Sequence, residues 1–258
     1  MSNKKLDTKQ GHWILAKMGK KVLRPGGKEL TLKLIDGLEI KKTDKVVEFA
    51  PGLGFTARIT LENNPEKYTG VELNEEATAI LRKTINGKNR EIIIGNASDS
   101  TLPENSSDKV YGEAMLTMHA DHRKSEIIKE AHRILKKGGL YGIHELGLTS
   151  NEIDTTTKAK IQRELAEVIK VNARPLTQKE WSDLLEKEGF KIVKVFQNPM
   201  HLLEPKRVIQ DEGFLRTLKI IGNVITHPKA RKRILAMRKV FRKYETKMNA
   251  IAIIAEKI

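Results

Sequence analysis

The sequence predicts an α/β fold: a doubly wound, Rossmann-like seven-strand sheet with a helical insertion before its last strand. Three observations carry this expectation. Short apolar runs alternate with stretches of helical periodicity along most of the chain. The run Val46-Val47-Glu48-Phe49-Ala50-Pro51-Gly52-Leu53-Gly54 ends in an acid and a glycine-containing turn. Farther on, Tyr68-Thr69-Gly70-Val71-Glu72-Leu73-Asn74 also ends in an acid. This is the layout of a nucleotide-type pocket at the carboxyl edge of a parallel sheet. Backbone N–H groups and a helix N-terminus approach the ligand there, and the second acid can bind two ribose hydroxyls.

The elements follow in order. Leu30, Leu34, Ile35 and Leu38 form a helical stripe ahead of a strand at 46–50. A second strand is expected at 67–73, and Ala77, Ile80, Leu81 and Ile85 mark the helix after it. Further strands are expected at 91–94, 108–113 and 139–146. Between the last two, Ile127, Ile128, Ala131, Ile134 and Leu135 form a helix that Lys136-Lys137-Gly138-Gly139 should stop, with Gly138 as a left-handed C-cap. Thr177-Gln178-Lys179-Glu180 reads as a capping box opening a helix that ends at Gly189. Runs at 190–197 and 248–256 complete the set.

Nearly fifty residues separate those last two runs. They hold two helical stretches divided by His227-Pro228. Phe214, Leu218, Ile221 and Ile225 stripe the first; Ala230, Ile234, Met237, Phe241 and Tyr244 stripe the second. The expected organisation is an N-terminal helical cap at 1–45, a ligand-binding core at 46–198, a basic helical insertion or lid at 199–247, and the last core strand at 248–258.

Composition limits the chemistry. At 258 residues, 39% hydrophobic and 31% charged, the chain reads as one folded α/β domain with an elaboration. With no cysteine, disulfides, thiolate zinc sites and cysteine nucleophiles are excluded. The N-terminal Met1-Ser2-Asn3-Lys4-Lys5-Leu6-Asp7 lacks a signal-like apolar core, and no run is long enough to span a membrane, so a cytoplasmic location is expected. The net charge of +15 is uneven: residues 199–247 carry 13 Lys/Arg against 4 Asp/Glu, a surplus of +9.

The turn after Glu48 lacks the third glycine of a pyrophosphate fingerprint, and Glu48 would repel phosphates. An acid there instead suits the cationic amino-acid end of S-adenosylmethionine. On these residues the chain resembles a class I S-adenosylmethionine-dependent methyltransferase from about Val46 to Gly147. The family's first motif matches Glu48 to Gly54, with Ala50 in place of the first glycine, a mild departure if its φ is negative. The ribose-binding acid falls on Glu72, followed by Leu73. Gly95-Asn96-Ala97 matches the adenine motif, with Asn96 where an Asp is common. Asp108 to Glu113 resembles the fourth strand, and Arg133 to Gly139 the turn before the fifth.

The resemblance implies in-line displacement at the sulfonium methyl, leaving S-adenosylhomocysteine. It implies a cofactor site formed by Glu48, Ala50, Gly52, Gly54, Glu72, Leu73, Asn96, Ala97 and Glu113. The acceptor should sit over strands four and five and under the N-terminal segment, near Met115, His119, His122, His12, Trp13 and Arg24. For acid/base work the preferred pair is His144 and Glu145. As strand neighbours they point to opposite faces, so both meet substrate only where the strand has ended. No metal is expected, because His119 and His122 lack an obvious third ligand.

Three readings of the basic insertion compete: a structural lid, adhesion to an anionic membrane surface, and nucleic-acid binding. Aromatics are only 5% and are not interleaved with the Lys/Arg cluster, which disfavours base stacking. The expected acceptor is therefore a small organic or lipid-like molecule. A nucleic-acid methyltransferase and a non-catalytic S-adenosylmethionine-binding protein are the alternatives.

Overall fold

The computed structural model describes residues 10–258; the polar stretch 1–9 lies outside the described residues. In chain order the elements are α1 (Gly11–Lys17), α2 (Gly27–Gly37), β1 (Lys45–Phe49), α3 (Phe55–Glu62), β2 (Lys67–Glu72), α4 (Glu75–Thr84), β3 (Arg90–Ile94) and β4 (Ser107–Glu113). A 3-10 turn at Leu116–Met118 precedes α5 (Asp121–Ile134) and β5 (Leu135–Leu148). Then come α6 (Thr155–Ile169), β6 (Leu176–Thr177), α7 (Gln178–Lys187), β7 (Phe190–Pro199), α8 (Pro205–Glu212), α9 (Phe214–Thr226), α10 (Pro228–Lys243) and β8 (Met248–Lys257).

The main sheet runs β3-β2-β1-β4-β5-β8-β7, with the two-residue β6 paired to β5 off this path. The pairs from β3 to β5 are parallel, and β8 is antiparallel to both its neighbours. The order reverses between β1 and β4. That switch point opens a crevice at the carboxyl ends of the strands, where open α/β sheets bind ligands.

Alternation along the strands explains the two covered faces. On one face Leu30 and Leu34 of α2 and Leu38 just after it pack against Val46, Tyr111, Ala250, Ala252 and Ile254. On the other, α5 and α7 bring Ile127, Ile128, Trp181 and Leu185 onto Val47, Val110, Ile143, Ile251 and Ile253. A further cluster joins the carboxyl end of the sheet to the helical layer: Leu146, Leu148 and Met248 meet Leu15 of α1, Leu165 of α6 and Met237 of α10.

The capping box at Thr177 and Glu180 forms as expected. The insertion has three helices rather than two, because Pro205 opens α8 ahead of the pair divided at His227-Pro228. Gly138 does have a positive φ of 75°, but it caps no helix. Helix α5 ends at Ile134, and Leu135 already pairs with Ser107. The Lys-Lys-Gly-Gly run is instead an irregularity in the β4–β5 register, where the pairing shifts between Ser107 and Lys109.

Candidate active site

The turn after β1 is built by backbone conformation. Gly52 (φ 59°) and Gly54 (φ 74°) both occupy the left-handed region. A Cβ on Gly54 would meet Leu81 of α4 at 2.8 Å, whereas one on Gly52 would meet nothing within 4 Å. Gly54 is thus favoured by its φ and by the nearness of Leu81, and Gly52 leaves its backbone open to a ligand. Ala50 departs from the expected negative φ: it sits at 52°, a conformation that costs an L-residue about 1–2 kcal/mol. Its N–H bonds Val71 O at 2.9 Å, which holds it there.

Glu72, at the end of β2, is tied to this turn. Its Oε2 accepts the Gly52 N–H at 2.9 Å and its Oε1 accepts the Asn74 N–H at 2.9 Å. The carboxylate keeps acceptor capacity beyond these bonds. Burial raises its pKa against those backbone hydrogen bonds. Leu73 beside it is exposed. At the end of β3, the Asn96 side-chain oxygen accepts from both the N–H and the hydroxyl of Ser98 at 3.1 Å, and Ala97 is buried in the core.

Glu48 is buried beneath the turn. Its Oε2 accepts the hydroxyls of Tyr68 and Tyr111, each at 2.6 Å, and its Oε1 accepts no hydrogen bond among the described residues. Desolvation pushes its pKa up to about 7, against the two phenol hydrogen bonds.

Glu113 is saturated. Its carboxylate meets Arg24 at 3.0 Å, the Thr31 hydroxyl at 2.8 Å, His144 Nδ1 at 2.7 Å, and the Thr56 hydroxyl. Burial alone would raise its pKa, but Arg24, His144 and Thr56 outweigh it and hold the carboxyl at about 2. His144 Nε2 lies 2.6 Å from Pro25 O, so both ring nitrogens are also taken. This network fastens the N-terminal segment to α2, α3, β4 and β5. Arg24, expected as a lid residue, lies inside it and stacks over Phe55 at 5.2 Å.

The strand expected at 139–146 runs on to Leu148, so the chain has not turned at His144-Glu145. The two side chains therefore diverge. Glu145 accepts the N–H groups of Met115 (3.0 Å), Leu116 (2.8 Å) and Thr117 (2.9 Å), and the Thr117 hydroxyl at 2.7 Å. Desolvation raises its pKa against these four bonds. Both residues are fully buried, and neither is among the residues lining the apolar cavity described next.

The cavity lies elsewhere. About 90 Å³ of space opens beyond β4 and β5, walled by Ala114, Thr117 and Leu146 below, and by α1, α6 and α10 above. Its lining is almost wholly apolar, with Leu165, Ala173 and Met237 among its walls and His12 as the titratable side chain. Sequence reading named His12 but missed most of the wall, whose residues come from seven separate stretches of chain. The Met237 and Phe241 stripe was the legible signal.

Known proteins agree with this geometry. Residues 47–143 match the family model for a methyltransferase domain. The chain carries a methyltransferase domain of the class I S-adenosylmethionine-dependent fold, and S-adenosylmethionine is its methyl donor. Within that class it forms one family with an uncharacterized protein of Haemophilus influenzae, 36% identical over 96% of this chain and 98% of that one. It is also similar to phosphoethanolamine N-methyltransferase of Plasmodium falciparum, at 24% identity over 78% of this chain and 82% of that one. Among solved structures, Haemonchus contortus phosphoethanolamine N-methyltransferase 2 in complex with S-adenosylmethionine shares the fold with a TM-score of 0.73. The identity there is 16%, covering 96% of this chain and 56% of that one.

Proposed function

We propose that this enzyme methylates a small organic acceptor with an apolar, lipid-like body. The observation that carries the reading is the apolar cavity beyond β4 and β5, roofed by α1, α6 and α10. Such a lining gains by taking apolar surface out of water and offers a phosphate or carboxylate no lysine or arginine.

S-adenosylmethionine, when bound, supplies a methyl group on a sulfonium that a nucleophile displaces in line, so the protein's main task is positioning. In this reading Glu72 receives the ribose hydroxyls on its remaining lone pairs. The open Gly52 backbone admits the ligand, helped by Ala50 and by Gly54, which seats the turn on α4. Leu73, Asn96 and Ala97 border the adenine, and the free Oε1 of Glu48 faces the ammonium.

Glu113, His144 and Glu145 take positioning roles. Glu113 with His144 holds Arg24 and Pro25 over the sheet edge. Glu145 fixes the Met115–Thr117 turn that carries one wall of the cavity. His12 is then the group placed to accept a proton, if the acceptor loses one. The expected organisation into cap, core, basic lid and final strand fits this division of labour, with the lid helix α10 contributing Met237 and Phe241 to the cavity.

The test is to incubate the protein with methyl-labelled S-adenosylmethionine and a whole-cell extract, then partition the products between chloroform and water. Label in the organic phase is expected. Label confined to the aqueous metabolites, or to RNA, overturns the apolar-acceptor reading.

A further inference from the structure

Helices α9 and α10 carry their apolar stripes in opposite senses. On α10 the stripe is used: Met237 is buried, and Ile234 and Phe241 pack with it beside the cavity. On α9 it is not. Phe214, Leu215, Leu218, Ile221 and Ile225 are between 48% and 81% exposed. At 100° per residue they fall on one continuous face, with Leu215 at its edge. The helix is seated by its other side, where Thr217 and Ile220 are buried and Asn223 donates to Met18 O at 3.0 Å.

Along α9 and α10 the charge has one sign, although Glu212, just before α9, pairs with Arg216. From Phe214 through Lys243 the chain has ten Lys/Arg and no Asp/Glu. Several of the ten are occupied: Arg238 and Arg242 bind Glu204, Lys243 binds Glu164, and Arg233 donates to Val168 O. Lys219, Lys229, Arg231 and Lys232 are exposed and form no ion pair among the described residues. Lys219 lies on α9 itself, and the other three open α10, the helix that follows.

We propose that α9 and the start of α10 dock on an anionic lipid surface, with the α9 aliphatic side chains entering the interface and these four cations meeting headgroups. The chemistry selects this occupant. An amphipathic helix with bulky apolar side chains on one face and Lys/Arg beside it gains both burial and attraction to anionic lipid. A second copy of the chain would set two patches of the same positive charge against each other. A nucleic acid would satisfy the cations but leave the aliphatic side chains in water, with Phe214 alone for stacking.

The surface stands independently of the acceptor. One consequence rests on the apolar-acceptor reading: α9 adjoins α10 and the α1–α2 segment, so an acceptor leaving the bilayer would arrive at the layer that roofs the cavity.

The test is co-sedimentation of the full chain with vesicles of phosphatidylcholine alone and of phosphatidylcholine mixed with phosphatidylglycerol. Binding to the mixed vesicles is expected, weakening as salt is raised. Leu215→Ser/Leu218→Ser and Lys219→Gln/Lys232→Gln should each reduce it about tenfold or more while S-adenosylmethionine still binds with the wild-type Kd. The proposal fails if the wild type ignores the mixed vesicles or if the leucine variant binds them equally well. It also fails if that variant's sole effect is to turn a dimer into a monomer, or if RNA binding, and not vesicle binding, is what the variants lose. Vesicle binding without label in the organic phase would remove the acceptor reading and leave the docking surface intact.

Discussion

Glu72 accepts the backbone N–H of Gly52 at 2.9 Å, so the acid that ends β2 and the turn that follows β1 form a single unit. Parallel register brings them together, with Glu48 opposite Gly70 and Phe49 opposite Val71. The carboxylate therefore serves the shape of the turn as well as any ligand in it.

Glu72→Ala removes both services. Two charge-assisted hydrogen bonds to a ribose are worth about 3 kcal/mol or more together, so S-adenosylmethionine should bind roughly 100-fold more weakly. Glu72→Gln keeps one acceptor oxygen and should fall between. Calorimetric titration measures both. An alanine variant with the wild-type Kd would remove Glu72 from the cofactor site.

Two buried acids make stability depend on pH with opposite signs. Glu48 has a folded pKa of about 7 against an ordinary value of 4.5, so the folded state holds the extra proton. Its contribution is fully present below pH 4.5 and is lost as pH rises to 7, by about 3 kcal/mol at most. Glu113, held at about 2, contributes stability above pH 4.5 that is lost as pH falls towards 2. Denaturant midpoints across pH should therefore peak near the ordinary glutamate pKa and fall on both sides. Glu48→Gln should flatten the limb above the peak and stabilise the protein at pH above 7, while weakening cofactor binding. A flat limb in the wild type would show that Glu48 is not protonated in the folded state.

Much of this was readable from residue order, and the reasons differ by element. The strands and the two acids were legible because alternation and strand-end acids are local patterns, and the sheet follows from them. The roles of His144 and Glu145 depended on where β5 ends, which is set by its ladder with β8 out to Leu148 and Met248. No local signal marks that pairing. The Ala50 conformation was likewise out of reach, because its bond to Val71 comes from the neighbouring strand.

Glu145 should act on folding rather than on chemistry. Glu145→Ala strands three buried N–H groups and the Thr117 hydroxyl, which should cost roughly 3–5 kcal/mol of stability. His12→Gln, by contrast, should act on turnover. If the acceptor must lose a proton, it should lower kcat by about 100-fold. A stable Glu145→Ala protein that has lost only kcat would return Glu145 to the chemistry.

The cavity can be tested by filling it. Ala173 is buried and lines the space, contributed by the loop between α6 and β6. Ala173→Leu places branched methyl groups into about 90 Å³ of apolar room. Filling such space without strain should leave the melting temperature equal or slightly higher, since it restores dispersion contacts. The cofactor residues lie on the strand ends and turns of the other half of the sheet, so the Kd for S-adenosylmethionine should stay at the wild-type value. Label transfer into the chloroform phase should fall at least about tenfold, because the acceptor's apolar body loses the room it occupies. Cofactor affinity and transfer rate are thus predicted to separate in a folded protein. If Ala173→Leu transfers label at the wild-type rate while folded and cofactor-competent, the acceptor binds elsewhere.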